Sequence, residues 1–187
     1  MMKRLNCLAV LGLAAALAPA AFAQAKPAAK APGVAESALQ AWNEVGNKVI
    51  GMAKDFPADK YDYKATPAVR SYAEILLHVA GADDIFTAAA EGRKAGPENL
   101  PRSEYNTKEK VVAALEKAVH DGAAAIQAKG DRGMMESVKG FGSRPTTLLA
   151  LCYDLVEHSG EHYGNLVTYD RLNGIVPPES RPRPRGQ

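Results

Sequence analysis

Two histidines stand four residues apart in the segment His158-Ser-Gly-Glu-His162. On a helix that spacing stacks both imidazoles on one face, about a turn apart, so that both can reach a single point. They interrupt a stripe of Leu148, Leu151, Leu155, His158, His162, Asn165, Tyr169 and Leu172, which advances by alternating steps of three and four. Such a stripe is the seam a helix buries in a bundle. A buried imidazole costs free energy unless a hydrogen bond or a metal satisfies its nitrogens. A third histidine falls on a second seam, Ile75, His78, Ala82, Ile85 and Ala89, with small Ala82 leaving room one turn away. Three neutral imidazoles converging from two helices form the ligand set of an open metal centre, with positions left for water or substrate. Zinc, nickel and ferrous iron all suit such ligands. The same pattern also describes a noncatalytic bundle whose histidines form a structural polar layer. His120 lies beside the seam residue Val119 and is excluded.

The motif is not that of an H-E-x-x-H protease, because Ser159 follows His158. Glu161, Asp154 and Asn165 are candidates to orient a ligand or a water. Tyr163 and Tyr169 either supply hydroxyls or pack.

The elements that must carry these residues can be read from periodicity and punctuation. Ala35, Ala38, Trp42, Val45, Val49, Met52 and Phe56 step by three and four, predicting a first helix over 34–56 that Pro57 stops. Residues 59–65 lack a period and read as a loop. Thr66 and Pro67 suit an N-cap and a first helical position, so the second helix is expected over 67–90. A long connection, 91–106, carries Gly92, Gly96, Pro97 and Pro101. Thr107 caps a third helix to about Lys129, with a seam of Val112, Leu115, Val119, Gly122 and Ile126. A second long connection, 130–145, holds one helical turn around 134–138. The fourth helix starts near Thr146 and ends at Asn173-Gly174, with Pro177-Pro178 beyond. With no strand in prospect, the fold class is all-α. The expected architecture is a four-helix bundle, with long connections between helices 2 and 3 and between helices 3 and 4 that permit a crossover.

The N-terminus reads as an address. Lys3 and Arg4 precede an apolar run from Cys7 to Leu17, and Ala21-Phe22-Ala23 forms a cleavage site. The expected organisation is a signal peptide at 1–23, a flexible leader at 24–33, the bundle at 34–178 and a basic Pro/Arg tail at 179–187. The apolar run is too short to span a bilayer, so no membrane insertion is expected after cleavage and the mature protein is periplasmic or secreted. Of 23 basic residues against 21 acidic, Lys3 and Arg4 leave with the signal, and the mature charge is balanced. That excludes a nucleic-acid footprint. Once Cys7 is removed, Cys152 stands alone beside a seam leucine and reads as a buried, inert thiol.

Leu76-Leu-His78-Val-Ala on helix 2, His158-Ser-Gly-Glu-His162-Tyr-Gly-Asn-Leu on helix 4 and the closing Leu172-Asn-Gly-Ile-Val-Pro-Pro178 together resemble the DinB-like superfamily of small metal-binding four-helix bundles. The resemblance runs from helix 1 to Pro178. It implies a divalent metal held by His78, His158 and His162, and a fold that frequently forms homodimers. It further implies transferases or isomerases that use a low-molecular-weight thiol activated on the metal; the open centre by itself also allows a metal-dependent hydrolase that activates water. The resemblance does not imply DNA binding.

Overall fold

The computed structural model describes residues 31–182. The expected signal peptide, most of the leader and the last residues of the basic tail lie outside that range. Four helices dominate: α1 over Val34–Asp55, α2 over Tyr72–Glu91, α3 over Lys108–Gly133 and α4 over Leu148–Leu172. None of the described helices is long and apolar enough to cross a membrane.

The helices do not pack in chain order. Helices α3 and α4 each lie against both α1 and α2, whereas α1 and α2 are diagonal partners, as are α3 and α4. The segment between α1 and α2 therefore crosses the end of the bundle. The diagonal pair meets through Trp42 and Phe86, ring centroids 5.0 Å apart. Trp42 donates its indole N–H to the Val119 carbonyl at 2.9 Å. Small residues allow this approach: a Cβ on Gly122 would fall 2.1 Å from the Trp42 ring, and one on Gly46 would fall 2.6 Å from Val119. The seam on α3 begins at Val111, which is fully buried, rather than at the expected Val112, which is half-buried.

Helix α2 starts five residues later than expected. Residues 66–69 form a turn closed by the Val69 N–H on the Thr66 carbonyl. Ser71 is the cap, its hydroxyl accepting from the Glu74 N–H while the Glu74 carboxylate accepts from the Ser71 N–H. This reciprocal box satisfies two orphan donors where a threonine cap would satisfy one. The expected loop at 59–65 includes a 3₁₀ turn at Ala58–Lys60, and it also contributes to the core. Tyr61 is buried, and its hydroxyl donates to the Ala53 carbonyl. Phe56 stacks on Tyr72 with centroids 3.7 Å apart.

The second connection differs from the expected helical turn and from the expectation of no strand. Two strands, β1 (Ser137–Lys139) and β2 (Pro145–Thr147), pair antiparallel, with Val138 opposite Thr146. Each strand has three residues, too few for a two-residue period to emerge from composition. Thr147 ends the hairpin and caps α4, its hydroxyl accepting from the Ala150 N–H at 3.1 Å. Gly174, at φ 72°, follows α4 in the left-handed conformation expected of a terminator.

Candidate metal centre

Helix α2 is buried along most of its circumference, and His78 is 5 % exposed between α2 and α4. Helix α4 presents His158 and His162 toward it, both half-buried. Ring centroids are 4.9 Å apart for His78 and His158, 4.9 Å for His78 and His162, and 4.5 Å for His158 and His162. One ring nitrogen of each lies within 4.8 Å of the others. The Nε2 atoms of His78 and His158 are 3.0 Å apart. Metal–nitrogen bonds of about 2.0–2.1 Å at tetrahedral angles place ligand nitrogens about 3.4 Å apart, so small ring adjustments suffice to seat an ion.

Burial holds all three imidazoles below their ordinary protonation range. For His78 the second cause is the Arg70 guanidinium, and for His158 it is the neighbouring His78. His162 is pushed down to about 4, by burial first and then by His158 and His78. The three rings are thus neutral at pH 7, the state in which imidazole offers a lone pair to a metal.

The outer nitrogens show what backs the cluster. Nδ1 of His78 and Nδ1 of His158 are buried without a hydrogen-bond partner. The Glu98 carboxylate faces the first, with its Oε1 3.8 Å from His78 Nδ1. Its position depends on Gly81, where a Cβ would fall 2.2 Å from the Glu98 carbonyl oxygen and 2.6 Å from that of Pro97. The bare glycine lets the 97–98 backbone lie directly on α2 beside His78. Asn165 reaches His162 Nδ1 at 3.3 Å from one turn along α4. The contact is made by the amide Nδ2, which donates to Nδ1 and leaves the proton on Nε2; turning the carboxamide over would set its oxygen on an Nδ1–H and free the Nε2 lone pair for an ion.

The other candidates fall elsewhere. Glu161 and Asp154 are exposed and outside the histidine cluster. Asn165 is exposed as well, so it is a rim residue rather than a buried interhelical amide. Tyr163 packs half-buried against the core, and Tyr169 donates its hydroxyl to the Arg70 carbonyl at 2.6 Å. The seam on α4 ends at Tyr169, since Leu172 is 58 % exposed. His120 is exposed and remote from the cluster.

Sequence reasoning missed Glu98, Arg70 and the pair Asp83–Ser159. Glu98 and Arg70 lie in irregular segments, where no period places a side chain. Ser159 is 3 % exposed and directs its hydroxyl to Asp83 at 3.5 Å, and Asp83 is itself 3 % exposed. Both lie off the assumed seams, and only the near-complete burial of α2 puts Asp83 inside. Cys152 is buried, as expected, and burial with Asp83 nearby pushes its thiol up to about 12.

Among curated proteins no sequence matches the chain. Solved structures that share its fold include the following three. A DinB-like protein from Bacillus cereus ATCC 10987 aligns at TM-score 0.65 and 17% identity, covering 76% of this chain and 95% of that one. A DinB-like protein from Bacillus subtilis, YjoA, aligns at 0.62 and 21% identity, covering 79% and 99%. YfiT from Bacillus subtilis, described as a probable metal-dependent hydrolase with an unusual four-helix bundle topology, aligns at 0.61 and 15% identity, covering 83% and 97%. The non-sequential packing of α1 to α4 agrees with that likeness, and the DinB family model matches residues 30–182. With its four-helix bundle and clustered histidines, the chain belongs to the DinB family.

Proposed function

We propose that the protein is an exported hydrolase dependent on a divalent metal held by His78, His158 and His162. The observation that carries this reading is the convergence of three neutral imidazoles from two helices, each offering a nitrogen within 4.8 Å of the others. No carboxylate belongs to the set, so the ion keeps its full charge and open positions. A divalent ion there supplies Lewis acidity that activates a water or polarises a substrate carbonyl. The chain's own residues stand behind the rings: Glu98 lies 3.8 Å from His78 Nδ1, and the Asn165 carboxamide meets His162 Nδ1 at 3.3 Å. The likeness to YfiT, described as a probable metal-dependent hydrolase, supports the same class. Hydrolysis is favoured over thiol transfer because a periplasmic or secreted protein meets few free low-molecular-weight thiols.

The 3.0 Å approach of His78 Nε2 to His158 Nε2 favours a second reading, in which one ring donates to the other and the histidines form a structural polar layer. Elemental analysis of untagged protein, purified and then equilibrated with zinc or nickel, separates the two. The metal centre predicts about one ion per chain, lost in His158→Ala and in His162→Ala. Wild-type protein that takes up no ion, while His158→Ala loses only thermal stability, decides for the polar layer. Fractionation of cells expressing the full chain tests export, with Gln24 expected as the mature N-terminus, and sedimentation tests a homodimer.

A further inference from the structure

A cavity of about 420 Å³ opens beside the histidine cluster. Val69, Arg70 and Ile75 form one side, and His162, Asn165 and Tyr169 form the other. Its volume falls in the range that takes a small organic molecule. Val69 and Ile75 supply an apolar wall, and His162 connects the cavity to the cluster. Arg70 supplies the only formal charge, because no carboxylate lines the cavity.

The state of Arg70 is informative. Its Nη2 donates to Asn99 Oδ1 at 3.3 Å, a neutral acceptor, and no ion pair among the described residues uses it. The nearby acids are engaged elsewhere: Glu74 takes the Ser71 N–H and Lys64, and Glu98 faces His78. Tyr169 anchors the Arg70 carbonyl at 2.6 Å, tying this residue of an irregular segment to the cavity's far wall. The guanidinium is exposed at the cavity mouth with no carboxylate partner among the described residues, and its planar fork matches a carboxylate in two parallel hydrogen bonds. A single fixed charge suits a monoanion. A phosphate dianion would call for a second free cation, and the two that share the adjoining cavity with Arg70, Lys64 and Arg102, are paired with Glu74 and Asp62.

We propose that this cavity binds a small organic acid, its carboxylate on Arg70, its apolar body against Val69 and Ile75, and its reacting end toward His162. Only the orientation of the reacting end rests on the metal-centre reading; the anion site stands on Arg70 and the cavity. The assignment narrows the substrate of the proposed hydrolase to molecules bearing a carboxylate at the end remote from the bond cleaved.

The test uses hexanoate and its neutral isostere hexanamide, titrated into the protein stripped of metal by chelation. Nitrogen–proton spectra follow Arg70 Nε–H and the Asn165 side-chain amide. Hexanoate is expected to shift both signals and to bind at least about tenfold more tightly than hexanamide, the loss expected when a charge-assisted pair is removed. Arg70→Met should abolish that preference, and Arg70→Lys should restore only part of it because the planar fork is gone. Equal binding of the two probes, no binding of either at tens of millimolar, or an unchanged preference in Arg70→Met overturns the proposal. Because the metal is absent, failure here is separate from failure of the centre, which His158→Ala and zinc uptake decide.

Discussion

Gly81 offers a direct test of how the fold builds the site, because its missing side chain is the space through which the 97–98 backbone reaches α2. In Gly81→Ala the new Cβ would lie 2.2 Å from the Glu98 carbonyl oxygen and 2.6 Å from that of Pro97. These obstacles are main chain, so no rotamer change relieves them, and the segment must retreat by roughly 1 Å to restore contact distance. Overpacking of this kind costs about 1 to 3 kcal/mol. Alanine recovers about 1 kcal/mol of helix propensity, leaving a net loss of about 1 to 2 kcal/mol for a backbone obstacle at the upper end. Gly51, in the interior of α1 with nothing within 4 Å of its Cβ, is the control, and Gly51→Ala should gain up to about 1 kcal/mol. At roughly 2 to 4 °C per kcal/mol for a chain of this size, thermal unfolding followed by circular dichroism should move the two variants in opposite directions. The same retreat carries Glu98 away from His78 Nδ1, so Gly81→Ala should also bind zinc several-fold more weakly, whereas Gly51→Ala should not. If Gly81→Ala melts as high as Gly51→Ala and binds zinc as wild type does, the close approach is not what positions Glu98.

Three further outcomes follow from the same geometry. Asp83 ionises at about 8 in the fold, raised by burial from an ordinary 3.8, so over that interval the unfolded chain holds fewer protons and stability falls as pH rises. Urea unfolding of Asp83→Asn should lose this dependence, and the variant should exceed wild type at pH 9 by a few kcal/mol if the amide keeps the Ser159 contact. Ser71→Ala removes half of the capping box and should cost about 1 kcal/mol, read as a lower melting temperature with an unchanged helical signal. Cys152, fully buried with its thiol pushed up to about 12, should resist an aromatic disulfide reagent in the native protein and react fully once unfolded; rapid reaction without unfolding would refute its burial.

The amino-acid sequence determined the four helices and the clustering of the three histidines, because both follow from periodicity, whereas the short hairpin and the start of α2 did not. The three-four steps through Leu155, His158 and His162 and through Ile75 and His78 placed these imidazoles on buried faces, and burial on facing helices brings such residues together. Caps of one residue were less legible: Thr66-Pro67 and Ser71-x-x-Glu74 both carry start signals, and the second prevailed because it satisfies two donors. Tertiary structure alone decided everything that depends on which helix neighbours which. Packing of α2 between α3 and α4 encloses it and buries Asp83 against Ser159 of α4, which a one-stripe view of the helix leaves in solvent. Arg70 and Glu98 come to the cluster from irregular segments, one tied down by the Tyr169 hydroxyl and the other by the gap at Gly81. Side chains on irregular segments have no period from which to read their direction. Their place is set by long-range contacts that exist only once the chain has closed on itself.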